Sequence, residues 1–405
     1  MMDRALTSRD DVEKVVVLVE KTLVPKHSQS IRPCAADDFK NYKETLKCNL
    51  ELIKNLLEDK IIINSNIEKI LIKIFIIVGE QSSLQLWNDE EHVQQAKVIE
   101  NKLCEIFNCE NVGIWLENED NFNKISVELR PKLLKDTWKS YPGAVACYKW
   151  LLQTMSSSMT RSQLNSVTPI LSFQLFSIIP TALIICDDYV EENKLTGLEC
   201  LQMIINSSSK TRLLQKANLD KVIFDTLLNM TYKTEKKPLL PLYFCIAGLL
   251  DIFEYNDKFC ESKKTFDWSE RDTIIQVTIN QMKLHFNVES CADYSECLTL
   301  LLNKFSSKWA LHLIETFHQL CEITNYNATV IPLINVIKNY LLIYKPQDPQ
   351  VYQILQTDLL KVKLMLDMQE QPFEEVESNL SIFESMHSLL EKLCPNLVKN
   401  LNKLI

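Results

Sequence analysis

Glycine is the residue this chain has least of for its size, five in 405, where average usage is about 7%. Loops that cradle phosphate need glycine so that backbone N–H groups can approach the anion. The five, Gly79, Gly113, Gly143, Gly197 and Gly248, are too far apart to form a dinucleotide-binding G-x-G-x-x-G. Nor can they form a P-loop or a G-x-S-x-G nucleophile elbow. Common nucleotide-binding and hydrolase frameworks are excluded, and with them a glycine-rich β-sandwich. A cationic surface is also missing. The net charge is −9 and neither half of the chain is basic, so no broad face for nucleic acid or anionic lipid is expected. The thirteen cysteines form no C-x-x-C, and the closest pairs, Cys104/Cys109 and Cys291/Cys297, lack zinc-module spacing. Cys186, Cys200, Cys245 and Cys321 sit in apolar stretches as small hydrophobes.

Long uninterrupted apolar runs are scarce too. Ser162 to Cys186 carries no charge over 25 residues, long enough for a bilayer. Eleven of those residues are Ser, Thr, Asn, Gln or Pro, so a helix buried on most sides is expected instead. Charges in the first eleven residues (Asp3, Arg4, Arg9, Asp10, Asp11) leave no room for a secretory leader. The expected setting is reducing, in cytoplasm and nucleus.

Helical periodicity is abundant. Val12, Val15, Val19 and Leu23 step by three and four, as do Leu46, Leu50, Ile53 and Leu57. Val330, Ile334, Ile337 and Leu341 repeat the pattern, and so do Val351, Leu355, Leu359, Val362 and Leu366. Start signals agree: Asp89 before two glutamates, Ser269-x-x-Asp272, and Asp348-Pro349. Asn111 to Leu116 reads as a short extended piece. Loops are expected at Val24 to Asp38, Glu117 to Asn123, Ser156 to Thr168 and Lys345 to Asp348. A single compact core stops growing near about 250–300 residues, and helix pairs recur about every 40 residues, near 170–186 with 191–206 and 219–232 with 238–255. The expected fold is all-α, an α-solenoid of degenerate HEAT/armadillo-like helix pairs. It is expected to run continuously through an N-terminal half, 1–160, and a C-terminal half, 161–405.

The most specific stretch runs from Pro180 to Ile205. An apolar helix ends in Asp187-Asp188, a short turn follows, and a second helix carries Leu195, Leu198, Leu201 and Ile205. A turn carboxylate can accept bonds from the unpaired N–H groups of the second helix, with Lys194 as a neighbouring cation. Gly197 lets the helices approach closely. Pro180, Asp187-Asp188-Tyr189, Lys194, Gly197 and Leu201 resemble the hallmark segment of the Tel-two-interacting protein two family, and Pro238 to Asp251 follows at the family's spacing. The resemblance covers about residues 165–255. It implies a non-enzymatic helical-repeat scaffold of the Triple T complex, with a larger helical-repeat subunit and a third subunit as partners. It also implies that the complex matures phosphatidylinositol-three-kinase-related kinases with the ninety-kilodalton heat-shock chaperone. No cofactor, metal, nucleic acid or membrane is implied.

A generic HEAT-repeat adaptor for another assembly would have the same fold, and only the Asp187-to-Leu201 segment separates it from the Triple T reading. Three other patterns also call for a reading. Asp187, Asp188 and Glu191 fit D-D-x-x-[DE], with which all-α prenyl diphosphate enzymes hold Mg²⁺. The accompanying second motif would be Asn256-Asp257 and Cys260, but Lys264 stands where a carboxylate is needed. His318 and Cys321, with His312 nearby, could share a metal, although no carboxylate is evident and they read better as core or boundary residues. The six tryptophans, Trp87, Trp115, Trp138, Trp150, Trp268 and Trp309, read as packing residues.

Overall fold

The computed structural model describes residues 9–27, 32–58, 65–162, 170–209, 213–233, 237–257, 268–285, 287, 290–304, 309–323, 327–346 and 348–367, then 384–386, 388–390 and 392. Among them every regular element is a helix. The contacts divide the chain into two compact units, Met1–Lys216 and Ala217–Ile405.

The first unit contains α1 (Arg9–Thr22), α2 (Lys40–Glu58), α3 (Ser65–Glu80), α4 (Glu90–Ile106), α5 (Val112–Leu116), α6 (Glu119–Leu129), α7 (Pro142–Ser162), α8 (Ile170–Cys186), α9 (Glu191–Ser208) and α10 (Leu213–Lys216). Helices α1, α3, α7 and α9 pack in succession as one layer, against which α2, α4, α5, α6 and α8 lean. The stripe of α2, Leu46, Leu50, Ile53 and Leu57, is buried throughout. Such layering arises because one amphipathic helix cannot cover its own apolar face.

The second unit contains α11 (Leu219–Thr231), α12 (Leu239–Asp257), α13 (Glu270–His285), α14 (Cys291–Leu302), α15 (Ala310–Ile323), α16 (Asn327–Tyr344) and α17 (Pro349–Asp367). Its packing alternates. Helices α12, α14 and α16 form one layer and α13, α15 and α17 the other, with α11·α12, α13·α14 and α15·α16 as cross-layer pairs. This is the helix-pair stacking of an α-solenoid, filled by the wholly buried Tyr243, Phe317 and Tyr340. The Ser269/Asp272 capping box forms: Ser269 N–H donates to Asp272 Oδ2 at 3.0 Å, and Asp272 N–H to Ser269 Oγ at 3.4 Å. Asp348 Oδ1 likewise accepts the Gln350 N–H at 2.9 Å, starting α17.

Three local expectations are corrected. Asn111 to Leu116 is not extended: Asn111 Oδ1 accepts the Ile114 N–H at 3.0 Å, and one helical turn follows. That turn buries Val112, Trp115 and Leu116 at helical spacing, and Trp115 stacks on Phe75 with centroids 4.4 Å apart. Within Glu117 to Asn123, Asn118 caps α6 through the Asp120 N–H at 2.9 Å, because Phe122, Ile125 and Leu129 supply a buried stripe. Helix α7 continues through Ser156 to Ser162, and 163–169 fall outside the described residues.

The thiols sit where hydrophobes belong. Cys186, Cys200, Cys245 and Cys321 are buried thiols outside any disulfide, and burial pushes the Cys245 and Cys321 thiols up to about 12. Five tryptophans are buried. Trp268 is the exception, 62% exposed, its Nε1–H donating to Thr273 Oγ1 and its ring meeting Trp309 edge-on.

Candidate partner-docking groove

In the first unit the α8–α9 turn meets the stretch before α7. Asp187 follows the last residue of α8 and is exposed, whereas Asp188 turns inward and is only 5% exposed. Asp188 Oδ1 accepts the Lys139 ammonium at 2.5 Å and the Tyr189 N–H at 2.9 Å, and Oδ2 accepts the Asn193 amide at 2.6 Å. A buried carboxylate persists only when paired and hydrogen-bonded, and these three donors meet that need. The cation beside Asp188 is therefore Lys139, not Lys194. The carboxylate also does not cap α9, whose N-cap residue is Val190 without a side-chain bond. It lies too early in the turn, and its bonds go to Tyr189, Asn193 and Lys139 instead.

Lys139 is held on three sides. Its ammonium lies 4.6 Å from the Tyr189 ring centroid and 5.5 Å from that of Trp138, within cation–π range. Tyr189 itself is 71% exposed. Gly197 and Leu201 stand behind this turn, both buried; Pro180 lies exposed within α8, and Lys194 is half-buried. A Cβ on Gly197 would meet the Cys186 backbone nitrogen at 2.4 Å, so α9 can cross α8 this closely only without a side chain.

The turn forms one wall of a groove of about 540 Å³. Trp138 and Lys139, Pro142, Ala146 and Lys149 of α7, the Leu86–Trp87 corner and the Arg32–Cys34 loop also line it. Trp87 is anchored beneath, its Nε1–H donating to the Glu80 carbonyl at 3.1 Å and its ring meeting Phe39 edge-on. Arg32 pairs with Asp38 through its two terminal guanidinium nitrogens, at 2.9 and 2.5 Å, and one of them also donates to the Pro33 carbonyl at 3.1 Å. That fork holds the Asp38 carboxyl down at about 2, and the Ala35 N–H adds to it. Lys149 pairs with Glu199, tying α7 to α9. Arg32, Lys139 and Lys149 had no sequence signal as a group. They come from three segments, and only stacking brings them together.

The other candidates separate. Asp188 is committed to Lys139 while Asp187 is exposed, so the two carboxylates of the D-D-x-x-[DE] pattern do not converge. The side chains of Asn256 and Asp257, and all of Cys260 and Lys264, lie outside the described residues. His318 Nδ1 is 2.9 Å from Asp358 Oδ2 of α17, a buried carboxylate forty residues on. The pair ties α15 to α17, a partner that local spacing could not reveal. Cys321 is buried and its thiol raised. Among the described residues no three His, Cys, Asp or Glu side chains are grouped to hold a metal, and no helix is long and apolar enough to cross a membrane.

Comparison with known proteins meets this geometry. The Tti2 family model matches residues 110–307, which contain the α8–α9 turn, Trp138, Lys139 and Lys149. TELO2-interacting protein 2 of Homo sapiens is 26% identical over 253 residues, covering 59% of this chain and 46% of that protein. The Rattus norvegicus protein of the same name is 26% identical over 287 residues, 67% of this chain and 49% of that one. The Mus musculus protein is 30% identical over 175 residues, 42% and 32% respectively. The chain thus spans about half or less of the length of the curated relatives it matches. Residues 110–307, which include the Pro180-to-Leu201 segment, are similar to the Tti2 family.

Proposed function

We propose that this protein is a non-enzymatic scaffold subunit of a Triple T complex. In that role it joins a larger helical-repeat subunit and a third subunit. Together with the ninety-kilodalton heat-shock chaperone they support maturation and stability of phosphatidylinositol-three-kinase-related kinases, in cytoplasm and nucleus. The observation that carries this reading is the family match over residues 110–307, which encloses the α8–α9 turn. The relatives' names, TELO2-interacting protein 2, supply the partner class. Stacked helix pairs suit the role because they present long ridges and grooves to another chain. The net charge of −9 fits protein partners better than nucleic acid.

Affinity purification of the full chain from its own cells tests the reading. Two stoichiometric partners, one of them a TELO2-like protein, are expected, with lower levels of the kinases after the chain is removed. A monomer in cell extract, with kinase levels unchanged, would refute it.

A further inference from the structure

We propose that Cys104 and Cys109 are a redox-modification site, a thiol pair that closes reversibly to an intrachain disulfide across the C-terminal turn of α4. It stands apart from the scaffold reading.

The helix end brings the two sulfurs together. After Ile106, the last residue of α4, the chain passes through Phe107 to Asn108, which takes a positive φ of 50°. The Asn108 N–H donates to the Glu105 carbonyl at 3.2 Å, and the Cys109 N–H to the Cys104 carbonyl at 2.9 Å. Those two bonds are a Schellman motif, in which the residue after the left-handed one folds back onto the last helical turn. The side chains that meet there are commonly apolar; here both are thiols. The Cys109 Sγ–H donates to the Cys104 carbonyl at 3.6 Å, and the Cys104 thiol hydrogen-bonds to the Cys109 sulfur. A backbone bond between the same two residues keeps their Cα atoms close, as a disulfide requires.

Two thiols alone suit a disulfide better than a metal. Among the described residues no third His, Cys, Asp or Glu joins them in a metal-holding group, whereas a structural zinc takes four ligands. The pair is also within reach of solvent. It borders a surface hollow of about 420 Å³ with Asn101, Glu105, Asn108 and Glu110. Cys104 is 7% exposed and Cys109 half-buried, so Cys109 meets a reagent first. Burial pushes both thiols up, Cys104 to about 12, while the bond from Cys104 draws Cys109 back down. Cys109 is therefore the attacking thiol and Cys104 the one that closes.

The oxidant is a low-molecular-weight disulfide, RSSR. The Cys109 thiolate attacks one of its sulfurs, forming a mixed disulfide and releasing RS⁻. The Cys104 thiolate then attacks the Cys109 sulfur, forming the Cys104–Cys109 bond and expelling a second RS⁻. The two protons given up by the protein leave on the two RSH formed, and the two electrons it loses reduce RSSR. In a reducing compartment such a disulfide is transient, which makes the pair a switch. Phe107, between the two cysteines, packs with Phe75 and Trp115, so closure would pin the α4–α5 turn to the core of the first unit.

The test uses the folded full chain. It is brought to equilibrium in glutathione buffers of rising oxidised fraction, quenched with acid, unfolded and alkylated, and the tryptic peptide 103–124 is weighed. Lys102 and Lys124 set the ends of that peptide, and Cys104 and Cys109 are its only cysteines. In wild type the peptide should lose two hydrogens and take up no alkylating reagent, and dithiothreitol should restore both thiols. Because closure is intramolecular, half-conversion at about 1 mM glutathione should need about tenfold less oxidised glutathione than modification of the exposed Cys48. Cys104→Ser should stop at a mixed disulfide on Cys109, and Cys109→Ser should leave Cys104 reduced. Oxidised wild type should unfold at a higher denaturant midpoint than reduced, since the crosslink restricts the unfolded chain, with no such shift in Cys109→Ser. Wild type that stops at glutathionylated Cys109, or keeps both thiols alkylatable where Cys48 is fully modified, would overturn the proposal. So would a bridge from either cysteine to a third. The wild-type peptide decides the matter even if Cys104→Ser folds poorly.

Discussion

Gly197 of α9 lies so close to Cys186 of α8 that a Cβ there would sit 2.4 Å from the Cys186 backbone nitrogen and 2.7 Å from its Sγ. In an exposed helix, Gly→Ala is stabilising by about 1 kcal/mol. Here the sign reverses. Gly197→Ala must push two backbones apart and should cost about 1–3 kcal/mol, read as a lower denaturation midpoint. A Gly197→Ala chain more stable than wild type would show that the two helices do not cross this closely.

Asp188 and Lys139 should behave as a coupled pair. Lys139→Met strands a buried carboxylate with only Tyr189 and Asn193 as donors, at a cost of about 1–3 kcal/mol once the part-exposure of Lys139 is discounted. Adding Asp188→Asn removes the stranded charge, so the double variant should recover part of the loss. Chemical denaturation of the four chains measures the coupling, and strict additivity would contradict the contact.

Glu80 gives a pH signature. It is buried on α3, where Oε2 accepts the Val24 N–H at 2.7 Å. Burial pushes its carboxyl from 4.5 up to about 8, against the opposing pull of that hydrogen bond and of Lys132. Between those values the folded chain keeps the proton and the unfolded chain has lost it. Stability from this group is therefore complete below about 4.5 and falls as pH rises toward about 8. Glu80→Gln removes the titration, and its amide oxygen can still accept from Val24. The variant should flatten that slope and be more stable at pH 8 by on the order of a few kcal/mol. Parallel slopes for the two proteins would place the proton elsewhere.

Asp272 joins a cap to a core ring. Its Oδ2 takes both the N–H and the hydroxyl of Ser269, and Oδ1 accepts the Trp309 Nε1–H at 2.8 Å. Asp272→Ala should cost about 2–3 kcal/mol, the sum of a lost cap and a charge-assisted hydrogen bond. Trp309 emission should also move to the red as the indole seeks water. An unmoved spectrum in a destabilised chain would confine the role of Asp272 to the cap.

Much of this architecture was legible locally. The stripe Leu46, Leu50, Ile53 and Leu57 lies entirely in the core. The Ser269 and Asp348 start signals became caps, and the helix pairs α8–α9 and α11–α12 pack as pairs. The misreadings were local too. Val112 to Leu116 is β-branched and aromatic, which favours strand until Asn111 caps it. Trp268 looked like its five buried counterparts, because an indole carries no mark of the side it will face.

The sequence by itself determined that this is a helical chain with closely packed pairs and a Tti2-like turn. Helix periodicity, caps and a rare glycine act within a few residues of themselves. Only the tertiary structure decided what surrounds that turn. Lys139 stands forty-nine residues before Asp188, and Lys194 was the cation nearer in sequence. Which of the two meets the carboxylate depends on how α7 stacks on α9. That stacking is set by summed side-chain packing along both helices, and no single segment encodes it.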